Sequence, residues 1–421
     1  MNEATLQYVR QHADDDVRLL ALRGSKDPAV DLSLALQQIS GLQTARHKLP
    51  TWAATEGLLY PPHLSMEQCS SEQTARYKCS VWRDLIAPSS GSSSFLSLSP
   101  RSLVDLTGGL GVDFSFLAPL FDEATYVEQQ EALCSLARHN FPLLGLDCSV
   151  VCANSTDYLI QLKHATLIFI DPARRDSNGG RTYAISDCTP DVLTLRDLLL
   201  EKADFVILKL SPMLDWHKAV NDLGRQWVRE VHIVSVGGEC KELLIVLSAS
   251  HTASSESLRV CCVNDDVVFE YHETEENRLP LTTFASPMAG NFLYEPNASV
   301  MKAGCFKVLT RRFPVHPIAQ NSHLFLADSL IDNFPGRRFR IVDISSLNKK
   351  ELKEKISPLK QANITVRNFP LTVAELRQRL KLGEGGSHYI FATTLANDNR
   401  VLLICRQLLS DTISELQDDL C

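Results

Sequence analysis

Short apolar runs alternate with helical segments between residues 103 and 247, and this alternation constrains the fold more than any other feature of the chain. Strands that are separated by crossover helices run parallel to one another in one sheet. The last two apolar runs flank Gly237-Gly238-Glu239-Cys240, which leaves no room for a helix, so they must pair as an antiparallel hairpin. The fold class is therefore α/β with a mostly parallel, Rossmann-like sheet that ends in an antiparallel hairpin. The predicted strands are 103–106, 124–127, 149–152, 166–170, 205–210, 231–236 and 243–247.

Outside this region the pattern is weaker. The first 85 or so residues have a helical apolar spacing, and a Ser-rich linker follows at 88–100. Beyond residue 270 a small α/β segment is predicted, with strands at 338–344, 362–366 and 389–393 and helices at 349–355 and 373–381. A further helix is predicted at 190–202, with Thr189 as its N-cap and Pro190 in its first turn.

Composition excludes several classes of protein. No apolar run approaches the roughly 20 residues that span a bilayer, and the N-terminus has no secretory pattern, so a cytoplasmic protein with no membrane partner is expected. The twelve cysteines contain no paired C-x-x-C spacing. Cys148, Cys152, Cys261 and Cys262 are expected to be buried free thiols, and no metal site is predicted.

The net charge of −8 is unevenly distributed. Residues 301–380 contain fifteen Lys or Arg against six Asp or Glu, a local balance of +9, while the first 300 residues carry −14. An acidic body with a basic C-terminal part indicates a polyanionic partner such as nucleic acid. A solvated helix face is the alternative explanation.

A glycine-rich turn follows the first strand of the sheet, in the run Asp105-Leu106-Thr107-Gly108-Gly109-Leu110-Gly111. Glycines allow backbone N–H groups to approach a ligand closely, and the following helix N-terminus favours an anionic group. A dinucleotide fold would need a third glycine where Phe114 stands. A plain tight turn is the alternative to a ligand-binding loop.

Acidic and amide side chains follow the next two strands. Glu128 ends the second strand, where a carboxylate can accept hydrogen bonds from both hydroxyls of a ribose. After the third strand, Asn154 or Asp157 could bind an adenine edge, and the sequence does not decide between them. Capping of the next helix by Ser155 or Thr156 is a competing role for this segment.

The fourth strand ends in Asp171-Pro172-Ala173-Arg174-Arg175. Proline fixes φ and has no N–H, so nearby carbonyl oxygens remain available to a substrate. A strand-ending turn with surface arginines is the alternative. Lys209, at the end of the fifth strand, is expected near the same cleft, where it either contacts the substrate or belongs to a capped strand end.

Together these motifs resemble class I S-adenosylmethionine-dependent methyltransferases across residues 100–250. The whole chain resembles a bacterial group that joins such a domain to a C-terminal THUMP-like domain; residues 67–78, 293–304 and 371–383 carry the rest of that resemblance. It implies S-adenosyl-L-methionine as cofactor, and Asp171 and Pro172 as the residues that orient the methyl acceptor. Arg174 and Arg175 are expected to hold the substrate backbone, and Lys209 is a further candidate for substrate contact. The implied cofactor-binding residues are Gln68, Asp105, Thr107, Gly109, Gly111, Glu128, Asn154 and Asp157.

THUMP domains bind structured RNA, so the resemblance implies an RNA substrate, tRNA or rRNA. The chain departs from the Asp-Pro-Pro-aromatic pattern of exocyclic-amine methyltransferases, because Ala173 and Arg174 follow Pro172. No Pro-Cys is placed for a covalent carbon-5 mechanism. The alternatives are an RNA-binding assembly factor with a non-catalytic pocket, and a methyltransferase that acts on a protein or a small molecule.

Four domains are expected. They are an N-terminal helical segment with its linker at 1–98, a methyltransferase domain at 99–270, a connector or small ferredoxin-like domain at 271–330, and a basic THUMP-like domain at 331–421.

Overall fold

A computed structural model describes residues 1–87, 100–174, 185–249, 257–278 and 283–408. The predicted linker at 88–100 lies outside these residues except for Pro100. The chain forms two compact units, of which the first is Met1–Val231 with Glu242–Glu256 and the second is His232–Lys241 with Ser257–Cys421. None of the described helices is long and apolar enough to cross a membrane.

The N-terminal segment is helical, as predicted. Its helices pack onto the residues around the glycine-rich turn, since Trp52 and Met66 share one buried cluster with Leu110 and Val112. The indole N–H of Trp52 donates to Ser115 Oγ at 3.1 Å. These helices therefore support the site from one side. They are α1 (Glu3–Gln11), α2 (Val17–Arg23), α3 (Leu32–Lys48), α4 (Pro50–Ala53), α5 (His63–Gln68) and α6 (Glu72–Ile86).

The strands before residue 248 confirm the predicted sheet. They are β1 (Ser102–Asp105), β2 (Glu123–Glu128), β3 (Ser149–Cys152), β4 (Ala165–Ile170), β5 (Ala173–Arg174), β6 (Cys188–Thr189), β7 (Ala203–Leu210), β8 (Val228–Val236) and β9 (Glu239–Leu247). Seven of them lie side by side in a nine-stranded sheet in the order β8-β9-β7-β4-β1-β2-β3, in which the last five strands are parallel and β9 is antiparallel to β7. β5 and β6 form an antiparallel pair of their own. β8 is hydrogen-bonded to β9, and the turn at Gly237 and Gly238 joins them as the predicted hairpin.

Helices connect the parallel strands. They are α7 (Val112–Leu117), α8 (Glu131–Leu143), α9 (Ser155–Gln161), α10 (Val192–Lys202) and α11 (Trp216–Leu223), with 3-10 turns at Ala118–Leu120, Ile185–Asp187 and Arg225–Trp227. All six residues of β4 are buried, as expected for a central strand covered on both faces. The carboxyl ends of β1, β2, β4 and β7 consequently meet along one edge of the sheet.

The predicted start of α10 is wrong. Thr189 is not its N-cap but the last residue of β6, where it pairs with Ala173 of β5. The helix begins two residues later, because the Asp191 carboxylate accepts hydrogen bonds from the N–H groups of Leu193 and Thr194. An ionised acid is a strong cap at a helix N-terminus, so Asp191 takes the role assigned to Thr189.

The second unit contains a seven-stranded sheet and an antiparallel pair of strands, Arg259–Asn264 and Val267–His272, of which the first is hydrogen-bonded to β8. Its elements are β10 (Arg259–Asn264), β11 (Val267–His272), α12 (Glu273–Arg278), β12 (Phe292–Pro296), α13 (Ala298–Ala303), α14 (Phe306–Arg312), β13 (His316–Pro317), β14 (Phe325–Ala327), β15 (Gly336–Ser345), α15 (Lys349–Glu351), β16 (Asn363–Arg367), α16 (Val373–Leu380), β17 (His388–Thr394) and β18 (Arg400–Gln407). The sheet order is β13-β14-β12-β15-β18-β17-β16. Only β16 and β17 are parallel within it.

Both helical segments after β15 pack on one face of this sheet. Ile356, Leu376 and Leu380 share a buried cluster with Ile390 and Leu402 of the strands. The predicted helix at 349–355 is a short α-helical turn followed by a π-helix at Leu352–Ile356, whereas the predicted helix at 373–381 is α16. The two helical segments therefore present their outward surfaces on the same side of the second unit.

Candidate active site

In the glycine-rich turn between β1 and α7, aromatic rings pack against Gly108 and Gly111, whereas the space beside Gly109 is open. Gly109 and Gly111 have φ angles of +55° and +83°, which L side chains rarely adopt. A Cβ at Gly108 would lie 2.1 Å from the Tyr126 ring, and one at Gly111 would lie 2.6 Å from the Phe141 ring. At Gly109 the nearest atom to such a Cβ is 3.7 Å away. A ligand can therefore approach the backbone of the turn at Gly109.

Glu128 lies directly beside this turn. Its Oε2 accepts a hydrogen bond from the Gly109 N–H at 3.0 Å, and its Oε1 accepts one from the Gln130 N–H at 2.9 Å. The residue is buried, with 7 % of its surface exposed. Both oxygens are held in fixed directions, and each keeps a further lone pair for a ligand.

A second hydrogen bond joins the turn to the end of β4. The Asp171 N–H donates to Thr107 Oγ1 at 2.6 Å, while the Thr107 N–H donates to Asp105 Oδ1 at 3.0 Å. The three residues predicted to bind cofactor and acceptor are therefore linked in series. Pro172 is buried next to Asp171, whose side chain is 40 % exposed.

Lys209, at the end of β7, binds Asp171 directly. Its Nζ lies 2.5 Å from Asp171 Oδ2 and 3.6 Å from Asp113 Oδ2. Burial lowers the pKa of the Lys209 ammonium, but the carboxylates of Asp171, Asp113 and Glu242 outweigh burial, so the pKa is raised above its ordinary value. Lys209 therefore stays cationic and holds the Asp171 carboxylate in place.

A buried lysine continues this chain of charges. Lys78 of α6 is fully buried and lies 3.0 Å from Asp113 Oδ1 and 2.7 Å from Glu242 Oε1. Ser70 completes the group by donating to Asp113 Oδ2 at 2.7 Å. Burial raises the pKa of Asp113, but Lys78 and Lys209 outweigh it and hold that pKa below its ordinary value. Ser70 and Lys78 belong to the 67–78 stretch that carries part of the family resemblance, whereas no role was predicted for Asp113 or Glu242.

The pKa of Asp105 is shifted in the opposite direction to that of Asp113. Burial raises the pKa of its carboxyl well above the ordinary value, and the nearby Asp113 and Asp171 carboxylates raise it further, whereas the Thr107 N–H and Lys209 lower it less. Asp105 has no lysine in direct contact among the described residues. Its carboxyl group is a position where a cationic ligand group would be favourable.

Asn154 is the N-cap of α9, which corrects the expectation that Ser155 or Thr156 caps this helix. Its Oδ1 accepts hydrogen bonds from the N–H groups of Thr156 and Asp157. The Asn154 side chain is exposed and its amide group remains a donor. Asp157 is exposed in the first turn of α9, and in the described chain no hydrogen bond involves its carboxylate.

The remaining predicted residues are less tightly connected to this site. Gln68 is exposed at the end of α5, and the described residues make no hydrogen bond with its side chain. The backbone of Arg174 lies in β5 opposite Cys188, and Arg175 lies outside the described residues.

Two expectations for buried thiols are also corrected, because Cys152 is exposed and Cys148 is half-buried, whereas Cys261 and Cys262 are buried as predicted.

The residues present fit a nucleoside that carries a cationic amino-acid tail. Glu128 offers fixed carboxylate oxygens for two hydroxyls, and the turn is open at Gly109. Asp105 offers a desolvated carboxyl group whose ionised form a cation would stabilise. A parallel sheet with these groups at the carboxyl ends of its strands has the arrangement of a nucleoside-binding α/β fold.

Comparisons with known proteins identify the family. Residues 336–407 match a family model described as THUMP domain-like, and residues 292–335 match one described as a ferredoxin-like domain. The crystal structure of a "putative methyltransferase" from Porphyromonas gingivalis W83 is 32% identical, covers 96% of this chain and 98% of its own, and has a TM-score of 0.82. An uncharacterized S-adenosylmethionine-dependent methyltransferase of Mycobacterium tuberculosis is 24% identical over 287 residues, which are 68% of this chain and 75% of that protein.

The chain belongs to the class I S-adenosylmethionine-dependent methyltransferases that carry a C-terminal THUMP-like domain. This confirms the family and the fold class that the motifs of the sequence indicated.

Proposed function

We propose that this protein transfers a methyl group from S-adenosylmethionine to RNA, and that the basic second unit binds the RNA. The observation that carries the proposal is the 2.6 Å hydrogen bond between the Asp171 N–H and Thr107 Oγ1. This hydrogen bond couples the glycine-rich turn to the acid-proline motif. A cofactor on the turn and an acceptor at Asp171 would therefore keep a constant distance and orientation relative to each other. Fixed relative positions are the main requirement for transfer from an already activated donor.

The cofactor-binding residues in this proposal act through their side-chain chemistry. S-adenosylmethionine supplies a methyl group on a sulfonium sulfur, which is an activated leaving group. Glu128 would accept hydrogen bonds from the ribose hydroxyls, and Asp105 would stabilise the cationic methionine end. Thr107, Gly109 and Gly111 would shape the turn, while Gln68 would line the methionine end and Asn154 or Asp157 would bind the adenine edge.

Asp171 and Pro172 would orient the methyl acceptor. Lys209 holds Asp171 Oδ2, whereas Oδ1 accepts no hydrogen bond from the described residues. A single available carboxylate oxygen can accept one hydrogen bond from an acceptor N–H or O–H and thus fix its direction. Arg174 and Arg175 would hold the substrate backbone.

Basic side chains on the helical face of the second unit support an RNA substrate. The segments α15, Leu352–Ile356 and α16 pack on one face of the seven-stranded sheet. Exposed basic residues that form no ion pair within the described chain are frequent on these segments and next to them. They are Lys349, Lys350, Lys353, Lys360, Arg379 and Lys381. Such a surface matches the charge of a phosphate backbone, and an RNA substrate agrees with the cytoplasmic location expected from the sequence.

Charge reversal tests the RNA part of the proposal. The triple variant Lys349→Glu, Lys350→Glu, Lys353→Glu should weaken binding of total tRNA and rRNA and lower the slope of log affinity against log salt by about 2 to 3. The matched control is Arg18→Glu, Arg23→Glu, Lys26→Glu, which changes the net charge equally through exposed residues of the first unit.

The two alternatives predict different results. Equal loss of affinity in both triple variants would mean a general charge effect and would contradict an RNA site on the helical face. Salt-independent substrate affinity would favour a protein or a small molecule as acceptor. Tight RNA binding without any methyl transfer would favour an RNA-binding assembly factor.

A further inference from the structure

Three metal-ligating side chains meet beside the carboxyl ends of β2 and β3. They are Glu131 and Cys134 of α8, and Cys152, the last residue of β3. One ligand atom of each lies within 4.8 Å of the other two. Within the part of the chain that the structure describes, no other group of three His, Cys, Asp or Glu side chains meets this criterion.

The backbone brings these residues together. Glu131 and Cys134 are three positions apart in a helix and therefore lie on the same face. β2 and β3 are parallel, with Glu128 opposite Cys152, and α8 begins three residues after Glu128. The first turn of the helix is thus placed next to the end of β3.

Backbone carbonyl oxygens and one cation hold these three side chains. Cys134 Sγ donates to the Glu128 carbonyl oxygen at 3.2 Å, and Cys152 Sγ donates to the Gln129 carbonyl oxygen at 3.7 Å. Arg138 Nη1 lies 2.7 Å from Glu131 Oε1.

We propose that Glu131, Cys134 and Cys152 bind a thiophilic divalent cation, with zinc as the physiological ion. Two sulfur ligands and one carboxylate oxygen suit Zn²⁺ and disfavour Mg²⁺ and Ca²⁺, which prefer oxygen ligands. Cys134 is buried, whereas Cys152 and Glu131 are exposed. An ion can therefore enter from solvent, and water can complete a four-coordinate shell.

The charges of the group balance when a divalent ion is bound. Two thiolates and one carboxylate carry −3, the ion carries +2, and the Arg138 guanidinium beside Glu131 supplies the remaining +1. Each thiol gives up its proton to solvent as its sulfur bonds to the metal, so one ion displaces two protons. The metal keeps its oxidation state throughout.

The bound ion would fasten α8 to β3 next to Glu128. Cys134 contacts the Glu128 backbone, and Cys152 lies opposite Glu128 in the sheet. The site would therefore stiffen the strand end that carries the proposed ribose-binding carboxylate. Metal binding itself does not rest on the proposed methyl transfer and can be measured without cofactor or RNA.

The test is a titration of the metal-free full-length protein with Co²⁺, monitored by thiolate-to-cobalt charge-transfer absorption, followed by displacement with Zn²⁺. We expect one high-affinity ion per chain and release of two protons. Cys152→Ser should weaken binding by more than about 100-fold, and Glu131→Gln should weaken binding while the charge-transfer band remains. The matched control Cys148→Ser, at a half-buried cysteine next to β3, should bind as the unmodified protein does.

Two results would overturn the proposal. One is a titration without charge-transfer absorption. The other is binding that Cys152→Ser leaves unchanged, since this would assign the ion to other cysteines. Because Cys152 is exposed, the serine variant should fold, and its circular dichroism spectrum verifies this independently of metal binding.

Discussion

The ammonium group of Lys209 lies 2.5 Å from the carboxylate of Asp171. This ion pair is the exposed end of an alternating series of charges that runs inward through Asp113 and Lys78 to Glu242. Each lysine in the series lies between two carboxylates. The acid of the acid-proline motif is consequently held in place by groups from α6, α7, β7 and β9.

Lys209 should act on turnover through Asp171. Lys209→Met should lower kcat by about 10²-fold or more, because Asp171 loses the cation that orients it, and Lys209→Arg should restore part of the loss. Binding of S-adenosylhomocysteine should not change, as measured by calorimetry. A raised KM for RNA at an unchanged kcat would contradict this and would make Lys209 a substrate-binding residue, as the sequence predicted.

Lys78 should be essential for stability. Lys78→Met leaves the buried carboxylates of Asp113 and Glu242 without their shared cation, which should lower the free energy of unfolding by about 3–5 kcal/mol. Adding Glu242→Gln to that variant should recover part of the loss, since one buried charge is removed. Urea unfolding of the two variants checks this. A double variant no more stable than Lys78→Met would contradict the assigned ion pair.

Alanine substitutions in the glycine-rich turn should separate folding from binding. Gly108→Ala places a methyl group against the Tyr126 ring and should destabilise the fold by about 1–3 kcal/mol or more. Gly109→Ala meets no close atom, so only its positive φ should destabilise, by about 1–2 kcal/mol. The added methyl group at residue 109 should nevertheless weaken binding of S-adenosylhomocysteine. Thermal unfolding and calorimetry distinguish these effects, and unchanged affinity in Gly109→Ala would mean that this face binds no cofactor.

Asp105 should make stability depend on pH. Its pKa is raised in the folded protein, so above the ordinary carboxyl pKa the unfolded chain loses a proton that the folded chain retains. The stability of the unmodified protein relative to Asp105→Asn should therefore fall as pH rises, by about 1.4 kcal/mol per pH unit, until the folded pKa is reached. Denaturant unfolding of both proteins at several pH values measures this difference. A pH-independent difference would mean that Asp105 stays ionised in the fold.

Local sequence patterns predicted the strands between residues 103 and 247 but not all of their details. Periodicity and turn residues are local signals, so the five parallel strands and the hairpin were found with ends within four residues. The N-cap residues of helices were harder to predict, because several polar residues compete for that position at the start of each helix. Asp191 and Asn154 took the caps that had been assigned to Thr189 and to Ser155 or Thr156.

The parts of the site that sequence analysis missed depend on long-range contacts. Lys78 and Glu242 are 164 positions apart and meet only because α6 packs near β9. The cluster around Cys134 was missed for the same reason, since its third ligand comes from a different strand and no C-x-x-C pattern marks it. The glycine turn, Glu128 and Asp171 were identified because each lies at the end of a predicted strand.

The most direct test of methyl transfer to RNA uses tritiated S-adenosylmethionine and total RNA from a strain that lacks the gene. The unmodified protein should label RNA, and digestion should then identify the modified nucleotide. Asp171→Ala should bind S-adenosylhomocysteine normally but leave the RNA unlabelled. Cofactor binding without any label in RNA, or equal labelling by the two proteins, would contradict the account.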